Sequence, residues 1–317
     1  MPGVPQPKVS IIINVRNGAD TLGATLDSVL AQTWRDWEIV LWDDGSTDDS
    51  LQIAASYSGI ALRCFQSPGP GPLGLGPARD HAIRAARGEW IAFLDQDDLW
   101  LPHKLEQQLA LGDADPAVGL VYGRTISFRP DGHEFDYDHR HEFSPLPEGD
   151  IFERLWIDSC FIAISSTLMR RSMVEALGRI PPGYLVSPDY FLYLGLARQH
   201  RVACVQQVVC RYRLHQHNMS HVVNGRIQQE VLQLVDLWQH ALPAPLAAHR
   251  RRVHSTVWAV QELRRPGSRA QGLRRLWRDG SLVFLAGRPL AWAWRKLRRR
   301  LQTPQWQQSA PGVAAGA

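Results

Sequence analysis

The sequence predicts an α/β protein in which a Rossmann-like, mostly parallel sheet is flanked by helices and followed by a C-terminal basic helical extension. Three observations predict this architecture. Short apolar runs alternate with segments of helical periodicity between residues 9 and 128. Polar clusters follow three of those runs, and arginines are concentrated near the C-terminus. With 317 residues and a hydrophobic content of 44%, the chain is long enough to bury a substantial core.

The first strands of the sheet are predicted from apolar runs that end in polar turns. Val9 to Val15 is the first strand, and Asp20 is the predicted cap of the helix that follows it. Glu38 to Trp42 is the second strand, and a helix through Leu51 follows its acidic turn. Leu62 to Gln66 is the third strand.

The next elements follow the same alternation. Pro77 suits the first turn of a helix, because proline lacks the N–H that an interior position needs. Trp90 to Leu94 is the fourth strand, and Pro102 opens the helix after it. Residues 151–171 are predicted as a helix and a strand, and Asp189 lies where a later helix begins.

Three polar clusters lie at predicted strand ends: Asn14 to Asn17, Asp43 to Asp48, and Asp95 to Asp98. Connected parallel strands bring their carboxyl ends to one edge of the sheet, where open α/β folds bind ligands. Adjacent carboxylates repel one another unless a cation neutralises them, and Mg²⁺ or Mn²⁺ prefers oxygen ligands. The pattern therefore indicates a site for a nucleotide or a nucleotide sugar.

One apparent motif is rejected. Gly69 to Gly74 matches the dinucleotide-binding string G-x-G-x-x-G, but that fingerprint needs backbone N–H groups directly after the first strand. Pro70 and Pro72 have no N–H, and the string lies far downstream. We interpret it as a flexible loop.

The C-terminal region is strongly basic. Arg264 to Arg300 contains twelve basic residues and one acid, which leaves 23 of the 35 basic and 30 of the 31 acidic residues in residues 1–263. A helix beginning at Pro289 would combine Trp294 and leucines with flanking arginines, which suits an anionic membrane surface. Packing on the catalytic domain is the next interpretation. No nucleic-acid partner is expected, since no nucleic-acid-binding fold accompanies the charge.

The N-terminal segment and the lengths of the apolar runs predict where in the cell the protein lies. Met1 to Lys8 lacks the apolar core of a secretory signal, and no run of about twenty apolar residues occurs anywhere. We expect a cytoplasmic protein that is peripheral on the inner face of the membrane if residues 289–301 bind lipid.

The ordered motifs resemble the family-2 inverting glycosyltransferases over roughly residues 8–220. The motifs that carry the resemblance are Val9-Ser10-Ile11-Ile12-Ile13, Asp43-Asp44-Gly45-Ser46-Thr47-Asp48, Gly76-Pro77-Ala78-Arg79-Asp80, Asp95-Gln96-Asp97-Asp98 and Arg213-Leu214-His215-Gln216-His217-Asn218-Met219-Ser220. The resemblance implies an A-type glycosyltransferase fold. It also implies a catalytic domain in residues 1–220. The charge distribution predicts the basic helical extension in residues 221–301, and a composition rich in Gln, Ala, Gly and Pro predicts a disordered tail in residues 302–317.

The resemblance also implies a donor site for a nucleotide-diphosphate sugar, most often a uridine one. Asp44 would hold the uracil or ribose, and Asn14 and Arg16 would line the base pocket. Arg16 stands where the family usually has tyrosine, so a guanidinium would replace the stacking ring. Arg79 would face the diphosphate or the base.

The reacting end of the donor is implied in the same way. Asp95 would contact the ribose or sugar, and Asp97 would bind the divalent cation, Mg²⁺ or Mn²⁺. His215 matches a residue that reaches the diphosphate or metal from a closing loop. Asp189 matches the general base, with Pro188 in place of the usual acidic neighbour. Backside attack would invert the anomeric centre.

The acceptor is expected to be a hydroxyl of a glycan or a lipid-linked sugar in envelope or polysaccharide synthesis. Two other functions stay open at this point. A sugar nucleotidyltransferase would also place acids on a nucleotide-binding sheet, but would need a basic phosphate-binding loop near the first strand. A catalytically inactive scaffold at the membrane surface is the non-enzymatic alternative.

Overall fold

Apolar strands form the centre of this computed structural model, which describes residues 6–69, 71–135, 144–158, 160–215, 225–264 and 267–278. The chain divides into two compact units, Met1–Leu234 and Val235–Ala317. The predicted membrane helix (residues 289–301) and tail (residues 302–317) lie outside the described residues.

The first unit is built on one mixed sheet. Its strands are β1 (Val9–Val15), β2 (Trp37–Asp43), β3 (Leu62–Gln66), β4 (Trp90–Phe93), β5 (Leu99–Trp100), β6 (Val118–Phe128), β7 (Glu134–Phe135), β8 (Leu168–Arg170) and β9 (Arg201–Arg213). The spatial order is β3-β2-β1-β4-β8-β6-β9-β5, and β7 pairs with β6. Strands β3, β2, β1 and β4 are parallel, and the parallel pairing recurs between β6 and β9. The pairs β4–β8, β6–β8, β5–β9 and β6–β7 are antiparallel. The predicted α/β architecture, a sheet flanked by helices, is confirmed.

Helices lie between these strands along the chain, and one more follows β9. They are α1 (Leu22–Leu30), α2 (Ser50–Ser56), α3 (Leu75–Ala85), α4 (Lys104–Ala114), α5 (Phe152–Asp158), α6 (Arg171–Ala176), α7 (Pro188–Gln199) and α8 (Gly225–Trp238). Successive residues of β1 point to opposite faces, and Ile11, Ile12 and Ile13 are all buried. Burial on both faces is typical of a parallel sheet that helices cover on each side.

One predicted detail is wrong. Asp20 does not cap α1, because the helix begins at Leu22 and Thr21 occupies the N-cap position, where its side chain makes no capping hydrogen bond. The turn before α1 is instead held by Asp48, whose Oδ2 accepts a hydrogen bond from the amide of Ala19 at 2.9 Å.

The second unit begins within the last turn of α8. Its described residues also form α9 (Ala244–Arg264) and α10 (Arg269–Arg278). The guanidinium of Arg275 on α10 lies 3.3 Å from the centre of the Trp258 ring on α9, and Arg275 also pairs with Glu262. Across the described ranges, none of the helices is long and apolar enough to cross a membrane.

Candidate active site

The acidic segment Asp95 to Asp98 follows β4 and is anchored by buried neighbours. Ser165 accepts a hydrogen bond from the Asp95 amide at 3.1 Å and donates one to Asp98 Oδ2 at 2.6 Å. The other Asp98 oxygen accepts the amide of Arg213 at 3.0 Å. Asp98 is fully buried, and burial together with Asp97 raises its pKa well above the usual range. Asp98 therefore ties the segment to β9, and no motif in the sequence indicated Ser165.

Gln96 joins the acidic segment to the end of β1. Its Oε1 accepts a hydrogen bond from the Arg16 amide at 2.7 Å, and its Nε2 donates to the Arg16 carbonyl at 3.2 Å. The Arg16 side chain is exposed. The polar ends of β1 and β4 are thus held side by side.

Arg79 on α3 reaches the same segment. Its guanidinium lies 2.7 Å from Asp95 Oδ1, with side-chain exposures of 3% for Arg79 and 35% for Asp95. Burial alone would lower the pKa of Arg79, but the carboxylates of Asp95 and Asp189 raise it, so this buried cation stays charged. For Asp95, burial raises the pKa, Arg79 lowers it, and Asp97 and Asp189 raise it again, so that the net direction is upward.

Asp97 pairs with a residue beyond β9. Its Oδ2 lies 2.8 Å from His215 Nε2, and its carbonyl accepts the Nε of Arg213 at 2.8 Å. The two side chains predicted as cation ligands are therefore adjacent.

These residues fit a divalent cation. Within the described ranges, no group of three or more His, Cys, Asp or Glu side chains is arranged around a common point. Mg²⁺ in nucleotide sites is often held by one or two carboxylates, with substrate phosphates and waters supplying the other ligands. A carboxylate and an imidazole at Asp97 and His215, together with the crowded negative charge of Asp95 and Asp98, suit that arrangement.

The ends of β1 and β2 form the other part of the site. Asn14 pairs with Trp42 and Val15 with Asp43 in the parallel register. Asn14 Nδ2 and Asp43 Oδ1 are buried, and neither has a hydrogen-bond partner among the residues that the structure describes. Buried polar atoms are almost always hydrogen-bonded, so a buried donor and a buried acceptor without partners favour a bound ligand that hydrogen-bonds to both. Asp43 was not among the predicted donor contacts.

Asp44, the predicted contact for the uracil or ribose, is engaged within the protein. Its Oδ1 accepts hydrogen bonds from Ser67 Oγ at 2.6 Å and the Leu73 amide at 2.7 Å, and its Oδ2 accepts the Gly74 amide at 2.9 Å. Asp44 therefore shapes the loop that precedes α3. Its contact with the donor stays a prediction.

Asp189 lies in the first turn of α7 and belongs to the cluster around Arg79. Its Oδ1 accepts the Tyr190 amide at 3.0 Å, and its charge raises the pKa of Arg79. Tyr193, one turn further on, is fully buried, and its hydroxyl has no hydrogen-bond partner among the described residues. Burial, followed by Asp189 and Cys160, raises the pKa of Tyr193 well above its usual value. The sequence did not indicate Tyr193 as a site residue, because an aromatic residue inside a helix is interpreted as part of the hydrophobic core.

Solved structures share this architecture. TarS residues 1–349 of S. aureus in complex with UDP-GlcNAc aligns with a TM-score of 0.58 and 17% identity, covering 85% of this chain and 70% of that one. The mannosyltransferase PcManGT from Pyrobaculum calidifontis, in complex with GDP-Man and Mn²⁺, aligns with a TM-score of 0.57 and 20% identity, covering 89% and 80%. The fold is the A-type glycosyltransferase fold.

The chain belongs to glycosyl transferase family 2. The model of that family matches residues 10–178. The Escherichia coli protein WfaP, named a UDP-Glc:alpha-D-GlcNAc-diphosphoundecaprenol beta-1,3-glucosyltransferase, is 31% identical over 213 residues, which are 67% of this chain and 79% of WfaP. An uncharacterized glycosyltransferase of Nostoc is 31% identical over 215 residues, which cover 66% of this chain and 65% of the relative. The predicted family is confirmed, and the protein is a glycosyltransferase.

Proposed function

We propose that this protein transfers a hexosyl group, with inversion, from a UDP-linked sugar to a hydroxyl of a glycan or lipid-linked acceptor in envelope or polysaccharide synthesis. The observation that carries the proposal is the cluster that Arg79 and Asp189 form with Asp95, the first residue of the acidic segment. The name of WfaP supports a UDP-sugar donor and a lipid-diphosphate acceptor.

The base-binding end is assigned to the ends of β1 and β2. A uracil ring offers one N–H donor and two carbonyl acceptors. Asp43 Oδ1 accepts the ring N–H and Asn14 Nδ2 donates to a ring carbonyl, so that both buried atoms gain a partner. Arg16 covers the exposed face of the ring, and Asp44 holds the adjoining loop and contributes to the base or ribose contact.

Arg79, Asp97 and His215 act on the diphosphate. The buried guanidinium of Arg79 stabilises the negative charge that develops on the leaving phosphate. Asp97 and His215 are the residues that would hold Mg²⁺ or Mn²⁺. When bound, the cation supplies further stabilisation of the same charge. Asp95 contacts the ribose or the sugar.

Asp189 acts as the general base. As the acceptor oxygen forms its bond to the anomeric carbon, the bond from that carbon to the phosphate oxygen breaks, and the acceptor proton passes to the Asp189 carboxylate. UDP leaves with the bonding electrons. Because the acceptor attacks opposite the leaving group, an α-linked donor gives a β-linked product.

An anionic membrane surface is the proposed partner of the basic C-terminal region on the inner face of the membrane. In α10, Leu273 and Trp277 lie one turn apart with exposures of 59% and 80%. Arg269, Arg274 and Arg278 flank them and are also exposed. Exposed tryptophan and leucine beside arginines are typical of helices that lie in a lipid headgroup region. The predicted membrane contact through residues 289–301 lies outside the described residues.

The test is transfer from a panel of nucleotide sugars to a short-chain lipid-diphosphate sugar with added Mn²⁺. We expect a UDP-sugar to be used, Asp189→Asn to abolish transfer with UDP affinity retained, and Asp97→Ala to weaken UDP binding only when Mn²⁺ is present. Asp20→Asn makes the same change as Asp189→Asn at an exposed aspartate and should behave as wild type. Full turnover by Asp189→Asn would remove it as the base. Release of pyrophosphate from UTP and a sugar phosphate would instead identify a nucleotidyltransferase.

A further inference from the structure

Glu230 on α8 is a fully buried carboxylate whose partners lie in the loop before α7. The side chain has 0% exposure. Its Oε1 accepts the amide of Leu185 at 2.9 Å, its Oε2 accepts the amide of Ser187 at 2.7 Å, and both oxygens lie within 3.2 Å of the Val186 amide. One side chain therefore binds three consecutive backbone N–H groups.

Arg226, one turn earlier on α8, completes the contact. Its Nε donates to Glu230 Oε1 at 2.9 Å, and its Nη2 donates to the carbonyl of Gly183 at 2.7 Å. The pair thus binds the loop through both N–H and C=O groups. Charge-assisted hydrogen bonds of this kind are stronger than neutral ones, and the buried carboxylate is compensated on both oxygens.

The loop they hold leads directly into the proposed base. Ser187 is the N-cap of α7 and makes no side-chain capping hydrogen bond, and Asp189 is the second residue of the helix. On its other side the loop packs against α3, because a Cβ on Gly76 would overlap the carbonyl oxygen of Tyr184. Gly76 lies one turn before Arg79. The loop is therefore fixed between the helix that carries Arg79 and the helix that carries Glu230.

We infer that Glu230, together with Arg226, is a positioning residue that fixes the carboxylate of Asp189 relative to Arg79 and Asp95. This inference rests on the proposed role of Asp189 as general base. It makes α8 part of the catalytic apparatus, although α8 lies beyond the family match at residues 10–178. In this chain Pro188 supplies no side chain that could orient Asp189, and the backbone contacts of Glu230 take that role.

The test separates positioning from simple structural support. Glu230→Gln keeps the shape of the side chain but turns an N–H donor toward the loop amides. We expect kcat to fall at least tenfold, while calorimetry gives a UDP affinity within about twofold of wild type, since the donor contacts are elsewhere. The control is Glu262→Gln, the same change at another buried glutamate paired with an arginine in the second unit, with kcat unchanged.

Further variants keep every outcome decisive. Glu230→Asp retains the charge and should retain more of kcat than Glu230→Gln. If Glu230→Gln does not fold, Glu230→Asp is the deciding variant: a lowered kcat with unchanged UDP affinity supports the inference. A folded Glu230→Gln with wild-type kcat overturns it, and so does wild-type kcat in Glu230→Asp when Glu230→Gln does not fold, provided in both cases that Asp189→Asn is inactive. If Asp189→Asn is itself active, the proposed base is wrong, and the two failures are distinguished.

Discussion

Arg79 and Asp95 form an ion pair of 2.7 Å in which the cation is buried and the Asp95 side chain is 35% exposed. The pair thus holds a desolvated positive charge behind a partly exposed carboxylate, next to the position proposed for the donor diphosphate. Electrostatic interactions in such a desolvated position are much stronger than in water.

Replacing Arg79 should therefore affect both donor binding and stability. We expect Arg79→Gln to raise the KM for the nucleotide sugar at least tenfold and to lower the free energy of unfolding by about 1 to 3 kcal/mol, because Asp95 loses its charged partner. Steady-state kinetics and urea unfolding measure the two effects. Arg84→Gln is the control on the same helix. Arg84 is exposed, and its buried partner Asp80 keeps a second ion pair with Arg179, so this change should cost under about 1 kcal/mol. Equal effects at both positions would contradict the special role of Arg79.

The close approach of α3 to the loop before α7 gives a second prediction. Gly76→Ala should lower activity and destabilise the protein by about 1 to 3 kcal/mol, because its methyl group would overlap the Tyr184 carbonyl. Gly23→Ala, in the first turn of α1, has Tyr57 Oη at an ordinary 3.7 Å and should be neutral or stabilising by up to about 1 kcal/mol. Thermal unfolding and turnover of the two variants provide the comparison.

Lys104 predicts a pH dependence of stability. It is buried against the Trp100 ring, and burial lowers its pKa to about 7, from the ordinary value of 10.5. Between these two values the unfolded chain binds a proton that the folded protein does not, so this group makes stability rise with pH. Below about pH 7 both states are protonated and its destabilising effect is greatest.

Lys104→Met should remove this contribution. We expect the unfolding free energy of Lys104→Met minus that of wild type to decrease by about 1 to 3 kcal/mol between pH 6 and pH 9. Urea unfolding at several pH values measures the difference, and other titrating groups cancel in the subtraction. A pH-independent difference would show that Lys104 titrates normally.

The exposed face of α10 predicts membrane binding. The full chain should co-sediment with vesicles that contain anionic phospholipid, and Leu273→Ser with Trp277→Ser should reduce the bound fraction several-fold at moderate salt. Leu111→Ser, at an exposed leucine of α4 in the first unit, is the control and should bind as wild type. Removal of residues 264–317 should abolish binding, and equal binding by every variant would exclude this surface.

Much of the fold could be predicted because its signals are local. The strands β1 (Val9–Val15) and β3 (Leu62–Gln66) have the predicted bounds, because the turn residues on either side of each run determine where the strand begins and ends. Pro77 and Pro188 lie in the first turns of α3 and α7 for a local reason, the missing N–H.

Other features depend on contacts between distant parts of the chain. Asp98 looks like a turn residue in the sequence, yet its partners Ser165 and Arg213 come from other elements. In the sequence Glu230 looks like an ordinary helix residue. The three backbone amides that donate to its carboxylate belong to residues 185–187, and no local pattern around Glu230 indicates that contact. Asp43 and Asp44 are adjacent acids in the sequence. The packing of the loop before α3 determines that Asp44 accepts hydrogen bonds from that loop, whereas Oδ1 of Asp43 has no partner among the described residues.

The residues that anchor the acidic segment come late in the sequence, so the site can be completed only late in the synthesis of the chain. Arg213 and His215 follow Asp97 and Asp98 by 115 to 118 residues along the chain. During synthesis the acidic segment therefore leaves the ribosome well before its anchors exist. We expect a nascent chain stalled near residue 178 to have its first strands but no capacity to retain a nucleotide, and to gain that capacity only after β9 has emerged.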